Sequence, residues 1–302
     1  MSRLVGVVAA LVGTVVIWAQ APPSKQVEVF GQKIQYIEAG SGPTVILLHG
    51  LGGDKSNWAY TAPVLAKNYH VYVPDQIGFG ESDKPLIEYR IGTLVDFLDG
   101  FYKKLGITKA IVVGNSLGGW TAAAFTLAHP DKVDRLVLVD SAGYSLAKTG
   151  VQAQRELLQA LNPSTVASEK ALMGIILANK AMATDALAEG AFAQHMRRND
   201  GYTIDRFLDS LFRNEDVIDG KLGAIKVPTL VVWGREDGLI PLSAGQLMGT
   251  EIAGSQTVIL DHCGHVPQIE CAVPFNTALL KFLASGAATS TAGSQEAEGS
   301  RQ

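Results

Sequence analysis

Residues 110–128 read AIVVGNSLGGWTAAAFTLA. Four apolar residues run into Gly114-Asn115-Ser116-Leu117-Gly118-Gly119, and an alanine-rich, helix-forming stretch follows. A G-x-S-x-G sequence between a strand and a helix is the context of a sharp, strained turn that lifts a serine hydroxyl above a sheet edge. Small residues on both flanks let the strand and the helix approach each other. The amide after the serine then points where negative charge develops on a carbonyl oxygen. The competing reading is a glycine-rich strand–helix connection with an incidental serine; the flanking strand and helix favour the nucleophile.

Outward from this stretch the chain alternates. Val27, Val29, Ile34 and Tyr36 alternate around Gly31, the pattern of a hairpin. Short runs rich in Val, Ile and Leu follow at 44–48, 70–73, 110–113, 135–139, 229–233 and 257–260. They hardly alternate, as expected of strands buried on both faces of a parallel sheet. Amphipathic helix patterns lie between them at 91–105, 117–128 and 274–283. Strands alternating with helices imply an α/β fold with a mostly parallel, doubly wound sheet. The rhythm breaks over residues 144–223, which read as a helical cap inserted over the carboxyl edge of the sheet, where ligands bind in open α/β folds. The expected organisation is core at 22–143, cap at 144–223 and core again at 224–285.

Both ends read differently from the core. Residues 4–19 form an uncharged apolar run behind Arg3. Ala19-Gln20-Ala21 has the form of a cleavage site, but Pro22 follows, and a proline there resists signal peptidase. Residues 1–21 are therefore expected to be an uncleaved membrane anchor, with a cleaved signal peptide as the alternative and a buried helix as the third reading. The first two export the globular part, to a membrane-anchored, secreted or periplasmic location. Residues 286–302, GAATSTAGSQEAEGSRQ, hold no large apolar side chain and are expected to be a disordered tail.

Composition removes other classes. Of the 302 residues 47% are hydrophobic and 18% charged, against disorder of the whole chain. The net charge of −4 gives no basic footprint for nucleic acid. Two cysteines make neither a disulfide scaffold nor a four-thiolate zinc site, and the glycine runs lack the Gly-Lys-Ser/Thr of a phosphate loop. No cofactor and no metal ligand set is expected. Oligomeric state is not readable.

A serine hydroxyl needs a base. His265, in Asp261-His262-Cys263-Gly264-His265, lies after the last strand and before the last helix; His262 is its local competitor. His49, His70, His129 and His195 read as a turn residue, a strand start, a helix end and the cap surface. The acid that holds the imidazole should follow an earlier strand. Asp237 in WGRED fits best, with Glu236 beside it and Asp140 after the preceding strand as alternatives. For the oxyanion the expected amides are Leu117, after the nucleophile, and Leu51 in His49-Gly50-Leu51-Gly52-Gly53, with Gly52 next. Cys263 and Cys271 flank His265. In an exported protein they would be able to pair, but two separate buried thiols are the expected state. The run at 171–177, ALMGIIL, reads as packing of the cap onto the sheet, with an acyl pocket or bilayer contact as the other readings.

VILLHGLGG, DQIGFGESDKP, VVGNSLGGW, VPTLVVWGREDGLIP and DHCGHVPQIE occur in this order between residues 45 and 270. With these motifs the chain resembles the α/β-hydrolase family. The resemblance implies a Ser116–Asp237–His265 triad. Members with an aspartate nucleophile, the haloalkane dehalogenases and epoxide hydrolases, share the loop at 75–85, but Ser116 stands where their aspartate would. Two serine subfamilies remain. Membrane-anchored monoacylglycerol lipases are similar in the N-terminal apolar segment, SAGYS, VPTLVVWGREDG and CGH. Hydrolases that cut carbon–carbon bonds of ring-cleavage dienones are similar in GNSxGG and GFGxSDKP, but usually carry a tryptophan where Val266 follows the histidine. The expected function is thus hydrolysis of carboxylic esters, with monoacylglycerols among the substrates. The alternatives are carbon–carbon bond hydrolysis of dienones and a non-catalytic binding protein of this fold.

Overall fold

The structure, a computed structural model, describes residues 22–149 and 155–285. The expected anchor or signal at 1–21 and the expected tail at 286–302 lie outside the described residues. Among the described residues no helix is long and apolar enough to cross a membrane.

Eight strands form one sheet: β1 (Lys25–Val29), β2 (Gln32–Ala39), β3 (Thr44–Leu48), β4 (His70–Pro74), β5 (Ala110–Asn115), β6 (Val133–Val139), β7 (Thr229–Gly234) and β8 (Gln256–Leu260). Their order is β1-β2-β4-β3-β5-β6-β7-β8. The β1–β2 hairpin is antiparallel and docks antiparallel on β4; every other pairing is parallel. All the expected strands are present, displaced by at most a few residues at their ends.

The near-continuous apolar runs follow from this topology, because alternate residues of one strand enter different cores. Ile46, Leu48, Val112, Leu136, Leu138 and Trp233 pack on one face. Val45, Leu47, Ile111, Val113, Val137 and Val232 pack on the other. The first face is covered by α1 (Ile91–Leu105) and α2 (Leu117–Ala128), through Leu94, Leu98, Phe101 and Phe125. The longer helices after β6 are α3 (Val166–Ile176), α4 (Asp185–Arg198), α5 (Gly201–Phe212), α6 (Leu242–Glu251) and α7 (Ala272–Ala284). Met248 of α6 joins the first core, and Phe275, Leu279 and Phe282 of α7 the second.

Between β6 and β7 the described residues contain helices and no strand. The starts of α3 and α4 are set by Thr165, in a capping box with Ser168, and by Thr184. Helix α5 buries Ile204, Phe207 and Leu208, and Phe207 stacks on Phe79 of the core at 5.8 Å between ring centroids. The two ends of this insert meet. Ile218 N–H donates to the Gly143 carbonyl at 2.9 Å, and Asp219 accepts from the amide and hydroxyl of Ser145 at 2.9 and 2.6 Å.

Candidate active site

Ser116 sits between β5 and α2 at φ 55°, ψ −117°, outside the regions that an L-residue ordinarily occupies. Three backbone hydrogen bonds hold it there. Its N–H donates to Val139 O at 3.0 Å, and its carbonyl accepts from Trp120 N at 3.0 Å and Ala142 N at 3.1 Å. The turn closes so tightly that a Cβ on Gly114 would lie 2.1 Å from Gly118 O. One on Gly118 would lie 2.3 Å from Leu48 O. Glycine is therefore required at both positions.

His265 faces the cavity of Ser116 from the loop after β8. Its Nδ1 is 2.8 Å from Asp237 Oδ2, and its own residue is 5% exposed. With Nδ1–H donated to this carboxylate, Nε2 is the acceptor nitrogen. Ser116 and His265 line the same 390 Å³ cavity. The other Asp237 oxygen accepts from the amides of Leu239 and Ile240 at 2.8 and 3.0 Å. Of the alternatives, Glu236 turns away and accepts from Cys263 N–H at 3.0 Å. His262 is exposed, at φ 59°. Asp140 is different: it is fully buried and adjoins the pair. Its Oδ1 accepts from Gly234 N–H at 2.8 Å, and ligand-type atoms of Asp140, Asp237 and His265 all lie within 4.8 Å of one another. Burial, then the neighbouring Asp237 carboxylate, push the Asp140 carboxyl well above the ordinary carboxylate range. Among the described residues this is the one set close enough to hold a metal ion. The carboxylate of Asp237 is already taken by His265 and two amides.

The loop after β3 lies against the nucleophile. A Cβ on Gly50 would stand 3.2 Å from Ser116 Cβ, and Leu51 lines the cavity with Ser116. Leu117 opens α2, where the first amides have no acceptor inside the helix. Leu117 thus follows Ser116 directly, and Leu51 shares its cavity.

Three supports escape a reading of the sequence. His49 is a turn residue, as expected, but it is wholly buried. Its Nε2 accepts from Gln76 N–H at 3.0 Å, so Nδ1 donates to Gly50 O at 2.8 Å. Burial holds its pKa below the ordinary histidine value, consistent with a neutral strut beneath the glycine loop. Asn115 donates to the carbonyls of Val139 and His265 at 3.2 and 3.0 Å, joining the elbow to the histidine loop. Arg198 of α4 donates to Asp54 from Nε at 2.8 Å and to Gly52 O at 2.8 Å, clamping the insert to the loop of Leu51. Burial disfavours ionised Asp54, but the Arg198 charge and the Ser56 hydrogen bonds overcome it and hold the carboxyl at about 2.

Two expectations are corrected. Cys263 and Cys271 are not separate thiols: they form a disulfide that bridges the segment carrying His265, because the Pro267–Glu270 turn folds back and brings their Cα atoms to 6.0 Å. His195 is not on the surface but buried, with Nδ1 3.8 Å from the buried Asp200. The run at 171–177 packs, as expected, through Ile175 and Ile176, and also lines the cavity through Leu172, Met173, Ile176 and Leu177.

A second, narrower cavity of 80 Å³ opens from Ser116 between Trp120, Leu158, Phe207, Leu211 and Ile240. In the larger cavity Arg198 is the one Lys or Arg among the described lining residues, and Glu169 faces it from α3. Burial raises the Glu169 pKa against the opposing pull of Arg198.

Comparison with known proteins follows the same lines. Residues 43–272 match the model of the alpha/beta hydrolase fold family. A 2-hydroxy-6-oxononadienedioate/2-hydroxy-6-oxononatrienedioate hydrolase of Klebsiella pneumoniae is 35% identical over 264 residues, 83% of this chain and 91% of the relative. The meta-cleavage product hydrolase of Pseudomonas fluorescens superposes with a TM-score of 0.78 at 30% identity, covering 86% of this chain and 97% of that one. A bacterial membrane phospholipase A superposes with a TM-score of 0.76 at 29% identity, covering 87% and 86%. By its strand order, by the family match over most of its length and by these hydrolase relatives, the chain belongs to the alpha/beta hydrolase fold family and is a hydrolase.

Proposed function

We propose that this hydrolase cleaves carboxylic esters with an uncharged, apolar acyl chain, using Ser116, His265 and Asp237 as a triad. Ser116 Oγ attacks the ester carbonyl while His265 Nε2 takes its proton; Asp237 holds the imidazole through Nδ1–H and stabilises the imidazolium. The amides of Leu51 and Leu117 receive the oxyanion. His265 then protonates the leaving alcohol, and water attacks the acyl-enzyme by the same route. Residues 144–223 act in this reading as a cap that sets which substrates enter.

The observation that carries the ester reading is the lining of the cavities at Ser116. The narrow arm is lined mostly by apolar side chains, with Ser141 and Tyr144 beside Ser116. In the wide one the guanidinium of Arg198 is engaged by Asp54 and Gly52, and the nearby carboxyl is Glu169. A dianionic substrate entering there would lose its hydration without gaining an unengaged cation among the described lining residues. An apolar chain fits that lining.

A second reading has its own support. The curated relatives favour the carbon–carbon alternative over ester cleavage: the Klebsiella pneumoniae relative is named for a dienedioate and the Pseudomonas fluorescens structure for a meta-cleavage product. The phospholipase neighbour favours the ester. The same serine, base and oxyanion donors serve either bond. The deciding experiment compares kcat/KM for p-nitrophenyl esters of increasing chain length, monoacylglycerols and a ring-cleavage dienone. Esters of medium or long chains are expected to turn over fastest; a dienone hydrolysed far faster than every ester would overturn the ester reading. Export through residues 1–21 is a separate proposal, checked by cell fractionation and by the intact mass of the mature protein.

A further inference from the structure

Asp140 has no part in the mechanism above, yet it is 0% exposed and its carboxyl lies within 4.8 Å of the acid of the triad. Its backbone is strained: φ is 42°, in the left-handed region that a non-glycine residue enters at a cost. That conformation turns the side chain back under β7, where Oδ1 accepts from Gly234 N–H. The other oxygen, Oδ2, is buried, and as an ionised carboxylate oxygen it would have no donor. Near this carboxyl lies a second acceptor, the carboxyl of Asp237.

Two carboxylates at this distance, out of water, do not both ionise. The donors decide which one carries the charge. Asp237 receives three, from His265, Leu239 and Ile240. Asp140 receives one, from Gly234. The titratable groups that face Asp140 among the described residues are Asp237 and His265. We infer that Asp140 keeps its proton at neutral pH and donates it as a hydrogen bond from Oδ2 to Asp237, making Asp140 a positioning residue for the His265–Asp237 pair. The proton gives the orphaned oxygen a partner and supplies Asp237 with a fourth donor. The Asp237 carboxylate is thereby fixed in the plane that meets Nδ1–H. Burial and the Asp237 charge act on Asp140 in the same direction.

The inference rests on the proposed triad, and two readouts keep their failures apart. The first needs no activity. The infrared difference spectrum between the parent chain and Asp140→Asn at pH 7 should show one protonated-carboxyl stretch, lost in the variant; its absence would overturn the inference. The second is the pH dependence of Ser116 labelling by a fluorophosphonate, with kcat and KM on the best ester. In Asp140→Asn the amide accepts from Gly234 and donates to Asp237, so the variant should lose no more than about threefold in kcat/KM. Asp140→Ala removes the donor and should lose about ten- to hundredfold in kcat with KM little changed, the scale of one hydrogen bond to a charged group. Its acidic limb should shift relative to both other proteins. Circular dichroism confirms that the alanine variant is folded, and the asparagine variant separates a lost hydrogen bond from lost packing. Equal damage in the two variants, or an alanine variant with parental kcat and pH profile, would overturn the inference. A parent chain that is never labelled at Ser116 would instead overturn the triad, leaving the infrared band to decide the state of Asp140.

Discussion

Replacing Arg198 with methionine tests how far the insert and the nucleophile loop depend on each other. The substitution keeps most of the apolar stem and removes the guanidinium that donates to Asp54 and to Gly52 O. Asp54 is 6% exposed and the Arg198 side chain 17%, so the pair is mostly but not wholly dry. Removing one partner of a buried pair costs about 3–5 kcal/mol; with this partial exposure and the remaining Ser56 donors, about 2–3 kcal/mol is expected. At roughly 2–4 °C per kcal/mol for a chain of this size, the midpoint of thermal unfolding should fall by about 5–10 °C at pH 7. The sign of the pH effect is fixed by Asp54. Its pKa is depressed in the folded parent to about 2, so its stabilisation is present above the ordinary carboxylate pKa and lost as pH falls through about 2. In the variant the unpaired, buried Asp54 takes up a proton at a higher pH. The gap in stability should therefore narrow as pH falls from 7 toward 4. The loop of Leu51 also loses its tether, so kcat should drop about tenfold with a smaller change in KM. Differential scanning fluorimetry at several pH values and steady-state kinetics read both effects. A midpoint within about 1 °C of the parent at pH 7, or a gap independent of pH, would refute the role given to this clamp.

Ser116→Ala should abolish fluorophosphonate labelling and lower kcat by several orders of magnitude while leaving the unfolding midpoint nearly unchanged; parental activity would remove Ser116 as nucleophile. Reduction of Cys263–Cys271 opens a short loop and should cost about 2–3 kcal/mol by chain entropy. The midpoint should fall accordingly and labelling should slow, because the freed segment carries His265; calorimetry with and without reductant checks it. Leu211→Trp should fill the narrow arm beside Ser116 and shift the preference to shorter acyl chains. An unchanged chain-length profile would mean that the acyl group lies in the wider cavity.

Local signals were enough for much of this molecule. Buried parallel strands reveal themselves as unbroken apolar runs, and 91–105 and 117–128 carry a helical pattern or composition matched by the observed bounds. Ser116, Asp237 and His265 each follow a strand, directly or within a short loop, with glycines beside them. The supports were hidden for a different reason: their meaning lies in contacts between distant residues. Arg198 and Asp54 are 144 positions apart, and neither belongs to a motif. Asp140 shows in sequence as one of three candidate acids; only the fold puts it beside Asp237 rather than in place of it. His195 lies on a helix of low amphipathicity, so no periodicity announces that it faces inward. Pairing of the cysteines depends on the short turn between them, which a count of two thiols does not reveal.

The two ends of the helical insert are fastened to each other by Gly143–Ile218 and Ser145–Asp219 before the chain returns to the sheet. The segment is thus a closed excursion with a single neck, and its length and shape are decoupled from the register of β6 and β7. A foreign insert that reproduces this neck would also have to supply the Ile176 carbonyl that receives the His265 amide at 2.7 Å and the Arg198 clamp on Asp54 and Gly52. New substrate ranges would then arise by varying the rest of the insert, while these contacts keep His265 and the loop of Leu51 in place.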